Sequence, residues 1–112
     1  MAPRVLRLLL PSPDRRRVLA RPNGLAGWAL PAIPAGDGGW SDDVAGAAGR
    51  VVGAAVRPVG EVADGVWEVE ATERVPAVGV TWIGVDEAGR LGADAGVVRR
   101  WAALGEGRAP CG

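Results

Sequence analysis

The sequence predicts an α/β (α+β) domain that is rich in short strands and has two helices. Apolar segments of strand length recur along the chain and are separated by Pro and Gly residues. Two other windows, 41–55 and 93–104, place their apolar residues three and four positions apart, as the buried face of a helix does. At 112 residues the chain is long enough for a single domain with a buried core.

The first three strands are predicted in the N-terminal part of the chain. Val5–Leu10 and Arg16–Ala20 are apolar segments joined by a Pro-Asp turn, which is typical of a β-hairpin. Trp28–Leu30 forms a short third strand between breaker residues. The Pro and Gly residues of segment 34–39 favour turns, so a loop is expected there.

The first helix is predicted to begin at Ser41, whose side chain caps it. Asp42 and Asp43 then lie in the first turn, near the positive end of the helix dipole. Pro58 marks the end of this helix. The residues expected to face the sheet are Val44, Ala47, Ala48, Val51, Val52 and Ala55. A stripe of three glycines predicts either close packing of another backbone or a frayed helix: Gly46, Gly49 and Gly53.

A further strand, Val66–Ala71, is predicted from its alternation of apolar and acidic residues. The alternation places Val66 and Glu68 on one face and Trp67 and Val69 on the other. Charged residues in and after this strand are expected on an exposed face.

The last third of the chain predicts one strand, one turn and one helix. Ala77–Val85 is nearly continuously apolar, as a central strand buried on both faces would be. A turn follows at 86–90, and Ala93–Leu104 is predicted as a closing helix. Its buried side is expected to carry Val97, Val98, Trp101 and Leu104. We expect residues 1–104 to form the domain and 105–112 to form a linker-like tail.

Composition restricts the classes of partner and the compartment. The formal net charge is +0, so nothing draws the whole chain to nucleic acid or to an anionic membrane. The chain contains no His, which removes the commonest metal ligand and general base at neutral pH. Its single Cys cannot form an internal disulfide, which is compatible with the cytoplasm. All thirteen basic residues are Arg, a usage that indicates genomic codon bias rather than a function.

One gapped motif resembles the opening of a Nudix box. Gly36, five residues, Asp42, seven residues and Arg50 repeat its spacing, and the preceding segment 28–31, Trp-Ala-Leu-Pro, is similar to the strand that leads into such a box. The resemblance implies a Nudix-like mixed β-sheet sandwiched between helices. It also implies Mg²⁺-dependent hydrolysis of a nucleoside diphosphate linked to another group, with Arg50 orienting a glutamate.

The carboxylates that this chemistry requires are missing from the box. The resemblance places them at positions 51, 54 and 55, where this chain has Val51, Ala54 and Ala55. Mg²⁺ prefers carboxylate and water oxygens, and these side chains offer none. We therefore expect a catalytically degenerate domain without a cofactor, and Arg50 is expected to pair with another acid or with a ligand.

The expected ligand is anionic, such as a nucleotide, and is expected at the N-terminus of the first helix. Backbone N–H groups there attract anions, and Trp40 offers an aromatic face. The residues expected to bind it are Gly36, Gly38, Gly39, Trp40 and Arg50. The three arginines 15–17 could likewise form an anion-binding hairpin face or an ordinary solvated edge.

Two alternatives stay open. One is a divergent pyrophosphohydrolase that holds Mg²⁺ with Asp42, Asp43 and a strand glutamate (Glu68, Glu70 or Glu73), with Arg50 assisting. The other is a structural domain that contacts a partner through Trp40 and the glycine stripe. Degenerate Nudix-like segments precede aminoglycoside-phosphotransferase-like kinase domains in some bacterial proteins, and this chain with its tail is similar to them.

Overall fold

The structure is a computed structural model, and it describes residues 5–23, 27–34, 40–63, 65–75 and 79–107. Seven strands and two α-helices follow one another along these residues. In chain order they are β1 (Val5–Leu9), β2 (Arg17–Asn23), β3 (Gly27–Ala29), β4 (Ala32–Pro34), α1 (Asp42–Val52), β5 (Val56–Ala63), β6 (Val66–Ala71), β7 (Thr81–Gly84) and α2 (Ala95–Gly107). A 3-10 segment, Val85–Asp94, leads into α2.

A mixed four-stranded sheet with the order β4-β1-β6-β5 forms the centre of the fold. The two middle strands, β1 and β6, are parallel, and the outer pairs are antiparallel. Leu6 and Leu8 point from β1 into the core beneath α1, whereas Leu9 belongs to the core beneath α2. The sheet is therefore buried on both faces between the two helices, which confirms the predicted mixed sheet between helices.

The N-terminal hairpin is present only at its turn. Leu19 N donates to Leu10 O at 3.0 Å, and an isolated bridge joins Pro11 to Val18. Beyond these contacts the two strands separate: β1 enters the four-stranded sheet, and β2 enters a second sheet with the order β3-β2-β7. The predicted hairpin is therefore confirmed at its turn and is wrong for the rest of the two strands, because β1 finds its partners in β4 and β6.

The strand pattern in the second half differs from the prediction in two places. An unpredicted strand, β5, lies between α1 and β6, and Pro58 is part of it. The predicted central strand 77–85 begins outside the described residues, and within them it is the short β7, which pairs with β2 at the edge of the smaller sheet. The apolar composition of this segment reflects packing of Trp82 and Ile83 against two different core clusters.

The first helix begins as predicted. Ser41 Oγ accepts a hydrogen bond from Val44 N at 3.2 Å, and Val44, Ala48 and Val52 are buried. The helix ends earlier than the apolar pattern suggests, because Gly53 adopts a left-handed conformation with φ of 84°. Such a residue terminates a helix, and glycine adopts it without steric cost.

The glycine stripe therefore does not form a close-packing surface. Gly53 is a helix terminator, and Gly46 lies on the exposed side of α1. Among the described residues outside the helix's own nearby backbone, a Cβ atom on Gly46 would meet only the Arg50 side chain, at 3.6 Å, and one on Gly49 would meet Ala54 O at 3.5 Å. Both distances are ordinary van der Waals contacts.

The closing helix packs its predicted face against the sheet, except at its end. Val98 and Trp101 are buried, whereas Leu104 is 57% exposed. At the N-terminal end of α2, the buried Asp94 accepts a hydrogen bond from Leu30 N at 3.1 Å. Its other oxygen lies 3.5 Å from Arg7 Nη1. Asp94 thus fixes the start of α2 to β1 and to the chain between β3 and β4. None of the described helices has the length and apolar content needed to cross a bilayer.

Candidate functional site

The predicted ligand site at the start of α1 is only partly within the described residues. Gly36, Gly38 and Gly39 lie outside them. Trp40 is half-buried, and its ring packs against Trp67 with centroids 5.7 Å apart and planes at 42°. It also packs against the core beneath α1. The ring of Trp40 therefore helps to cover the core.

The polar residues predicted on α1 are not brought together. Asp42 and Asp43 are exposed in the first turn, and Arg50 is exposed in the last. Arg50 lies eight positions after Asp42 along the helix, a rise of about 12 Å. Arg50 makes no ion pair with any described residue. The arrangement is that of a capped helix with charges that complement its dipole.

The positions of the missing carboxylates do not share one helical face. Val51 is half-buried on α1, but Ala54 and Ala55 follow the helix terminator, and Ala54 is buried. Ala55 N donates to Glu73 Oε1 at 2.9 Å, so the carboxylate beside position 55 is already bound to the backbone. In the described parts of the chain, no three Asp, Glu, Cys or His residues lie close enough to hold a metal ion. The described residues do not fit a magnesium centre of the kind that the resemblance implies.

A surface groove lies away from α1, at the carboxyl ends of the two parallel strands. Because β1 and β6 are parallel, both strands end at the same edge of the sheet. There the two sheets diverge and leave a groove of about 800 Å³, which we call the main groove. Its walls come from the turn after β1, from β2, from β6 and the segment after it, and from β7. They are Leu10, Pro11, Ser12, Pro13, Arg15, Arg17, Glu68, Glu70, Ala71, Glu73, Arg74, Val75 and Trp82.

The three glutamates of the main groove are already engaged. Glu68 accepts hydrogen bonds from Trp101 Nε1 at 3.0 Å and from Arg15 Nη1 at 3.4 Å. Glu70 pairs with Arg57 on the neighbouring strand. Glu73 accepts from the backbone of Ala55, as described above. The side chain of Glu68 is only 14% exposed, so the expectation of an exposed sheet face was wrong for this residue.

Two arginines of the main groove are available to a ligand. Across the described residues, Arg17 and Arg74 form no ion pair, and both side chains are exposed. Trp82, half-buried on β7, supplies an aromatic surface in the same groove. The groove therefore offers two guanidinium groups that form no ion pair with a described residue and one aromatic ring, and each of its three glutamates already accepts a hydrogen bond within the protein.

The turn between β1 and β2 holds the arginines in place. Ser12 Oγ donates to Asp14 Oδ1 at 2.6 Å, and Arg16 N donates to the same oxygen at 3.1 Å. The hydrogen bond from Ser12 and then that from Arg16 N hold the pKa of the Asp14 carboxyl below its usual value. Arg15 follows with a positive φ of 60°, which is uncommon outside Gly and directs its side chain over Trp101.

These elements define the class of fold as Nudix-like: a mixed sheet between two helices with a smaller antiparallel sheet beside it. No protein-family model matches the sequence, and no curated protein does. A solved structure described as a UDP-X diphosphatase superposes on 95% of this chain with a TM-score of 0.63 and 10% identity. This chain spans 64% of the length of that protein. A Nudix hydrolase from M. smegmatis, RenU, superposes on 96% of this chain and 89% of its own, with a TM-score of 0.57 and 20% identity.

The main groove was not found from the sequence. The arginine run 15–17 indicated its first wall, and the alternation in β6 placed Glu68, but nothing in the sequence brings Arg74 or Trp82 beside them. These residues meet only because β1 and β6 are parallel neighbours and β7 pairs with β2.

Proposed function

We propose that this chain is a ligand-binding domain of Nudix-like fold that has lost hydrolase activity. The observation that carries this proposal is the loss of every oxygen ligand at positions 51, 54 and 55. Glu73, the carboxylate next to position 55, accepts a backbone hydrogen bond from Ala55. Catalytic Mg²⁺ is held by carboxylate oxygens together with water and substrate phosphates, and the described residues provide no group of three Asp, Glu, Cys or His side chains that could hold a metal ion.

The proposed ligand is a nucleoside diphosphate or a molecule of that class, bound in the main groove. Phosphate oxygens suit the fork of donors on Arg17 and Arg74, and a base suits the ring of Trp82. One structural neighbour is described as a UDP-X diphosphatase, and the nucleoside diphosphate part of that description is the class we extend to this chain. A volume of about 800 Å³ is within the range of small-molecule sites. We further infer a cytoplasmic setting, where such nucleotides occur and where a single Cys stays reduced.

This assignment moves the ligand away from the start of α1. The two aspartates there already complement the helix dipole and repel phosphate, and Trp40 is engaged with Trp67. An interaction role through Trp40 and the glycine stripe loses support for the same reason, since Trp40 covers the core and Gly53 terminates the helix.

The test combines turnover with binding. UDP, a UDP-sugar and uridine are titrated by calorimetry, and the formation of UMP from the two diphosphates is measured by chromatography with Mg²⁺ and with Mn²⁺. We expect saturable binding of the two diphosphates, weaker binding of uridine, and no turnover. Metal-dependent turnover that is abolished by Asp42→Asn or Glu73→Gln would overturn the proposal in favour of a divergent hydrolase. Absence of binding up to millimolar concentration would overturn it in favour of an interaction domain.

A further inference from the structure

A second, smaller cavity lies on the other side of Arg15 and Glu68, between α2 and the end of β5. Its volume is about 190 Å³, and we call it the small cavity. Its walls are Arg15, Glu61, Val62, Ala63, Glu68, Val97, Arg100, Trp101 and Leu104. Arg15 and Glu68 also line the main groove, so these two side chains separate the two spaces.

An irregularity in β5 shapes this cavity. In a regular strand, successive side chains point to opposite faces. The register between β5 and β6 shifts between Glu61 and Ala63, and the three consecutive residues from 61 to 63 all line the small cavity. Bulges of this kind redirect side chains and are common beside binding sites.

The walls combine both signs of charge with an apolar surface. Glu61 and Glu68 supply carboxylates, and Arg15 and Arg100 supply guanidinium groups. Val62, Val97 and Leu104 lie between them, and Leu104 is 57% exposed in spite of its size. A ligand that matches this set has a cationic end, an anionic end and a short aliphatic body.

The charged side chains of the small cavity still have hydrogen-bond donors and acceptors available to a ligand. Arg15 lies over the Trp101 ring at 4.3 Å and donates one long hydrogen bond to Glu68, so most of its five N–H donors remain available. Glu61 accepts from Gly65 N at 3.2 Å through one oxygen, which leaves the other oxygen for a ligand. Arg100 makes no ion pair within the described part of the chain. The positive φ of Arg15 is a strained backbone state of the kind that is found where a side chain must be aimed.

We propose that the small cavity binds a zwitterion of amino-acid size. Its carboxylate binds Arg15 and Arg100, its ammonium group binds Glu61 and the remaining lone pairs of Glu68, and its aliphatic side chain lies against Val62, Val97 and Leu104. This site is separate from the nucleotide site proposed above and requires no catalytic step.

The experiment uses valine as the probe, with isobutylamine and isovalerate as analogues that each lack one charge. Binding is followed by ligand-observed NMR on the full chain. We expect saturable binding of valine, weaker binding of glycine, and a loss of about tenfold or more for each analogue, since each forfeits charge-assisted hydrogen bonds. Equal binding of valine and isovalerate would show a simple anion site and overturn the proposal, as would no binding of valine at millimolar concentration.

Variants of Glu61 and Arg100 test which side chain binds the ammonium group of valine and which binds its carboxylate. Glu61→Gln is expected to reduce the affinity for valine about tenfold while sparing that for isovalerate, which has no ammonium group. Arg100→Met is expected to reduce the affinity for valine about tenfold while sparing that for isobutylamine, which has no carboxylate. Glu87→Gln and Arg90→Met, an exposed acid and base that pair with each other outside the cavity, are the matched controls. UDP binding in the main groove is measured on the same variants and is expected to stay unchanged, because neither Glu61 nor Arg100 lines that groove. Equal loss of valine binding in the controls would overturn the assignment.

Discussion

Trp101 Nε1 donates a hydrogen bond to Glu68 Oε1 at 3.0 Å, and this bond joins α2 to the central strand β6. The Trp101 ring is 4% exposed and supports the Arg15 guanidinium, which also bonds to Glu68. Three distant parts of the sequence therefore meet at one carboxylate.

Loss of the Glu68 carboxylate is expected to destabilise the domain. Glu68→Met leaves the buried Trp101 N–H without an acceptor and Arg15 without its ion pair, at a cost of about 1–3 kcal/mol. Glu68→Gln keeps an acceptor for Trp101 and is expected to cost less. Urea denaturation measures both variants. Glu87→Met is the control, because Glu87 forms only an exposed pair with Arg90 and should change stability by less than about 0.5 kcal/mol. Equal effects of Glu68→Met and Glu87→Met would exclude a stabilising role for Glu68.

The cap at Ser41 is a second test of the fold. Ser41→Ala removes the acceptor for Val44 N and is expected to cost about 1 kcal/mol. Ser41→Asp supplies another acceptor and should recover most of the stability. Thermal and urea unfolding of the two variants check this expectation, and a neutral effect of Ser41→Ala would mean that the cap does not contribute.

Substitution by Ala is expected to change the stability in opposite directions at Gly46, within α1, and at Gly53, at its end. Gly46→Ala, at an exposed helical position with no backbone near its Cβ, should stabilise the protein by up to about 1 kcal/mol. Gly53→Ala forces a Cβ atom into the left-handed conformation and should destabilise it by about 1 kcal/mol. Comparison of the two urea midpoints tests the end of α1 at Gly53. If Gly53→Ala were stabilising, the helix would continue beyond this residue.

The accuracy of the sequence-based predictions depended on how local each interaction is. The start of α1 follows from the cap at Ser41, and strand β6 follows from the alternation that begins at Val66. The buried face of α2 follows from the spacing of Val98 and Trp101. Each of these signals extends over only a few residues. The hairpin prediction failed beyond the turn because β1 pairs with β4 and β6 instead of β2. These partners lie far from β1 in the sequence, so no local pattern indicates them. The helix end was missed because the apolar pattern continues past Gly53.

The candidate site was harder to predict for the same reason. The box motif drew attention to Trp40 and Arg50, but the ring of Trp40 packs on Trp67, 27 positions along the chain. The charged residues of the main groove come from the turn before β2, from the first residue of β2, from β6 and from the segment after β6, and no spacing rule connects the first two regions with the last two. Glu68 looked like one exposed acid of an alternating strand, and only the position of Trp101 shows its role.

The turn that carries Asp14 is expected to give the domain a specific acid sensitivity. Hydrogen bonds from Ser12 and Arg16 N lower the pKa of Asp14 below the ordinary value of 3.8. Because the pKa is lower in the folded state, the ionised carboxylate contributes stability above the unfolded pKa, and this contribution is lost as the pH falls through the folded pKa. Between about pH 5 and about pH 2, the wild type should lose more stability than Asp14→Asn, which has no carboxylate to titrate. Urea midpoints across this range measure the difference, and parallel pH profiles would contradict the expectation.

The arginines of the main groove are expected to determine its affinity for phosphates. Arg17→Met and Arg74→Met each keep most of the side-chain length and remove the charge, so each should weaken UDP binding about tenfold through lost charge-assisted hydrogen bonds. The loss should shrink as salt rises, because both side chains are exposed and their attraction is screened. Arg90→Met removes an exposed arginine outside the groove and serves as the control. Calorimetric titration with UDP at low and high salt compares the affinities of the two groove variants with that of the control. If Arg74→Met binds UDP as tightly as Arg90→Met does, Arg74 does not contact the phosphates; if Arg17→Met does so as well, the ligand lies outside the main groove.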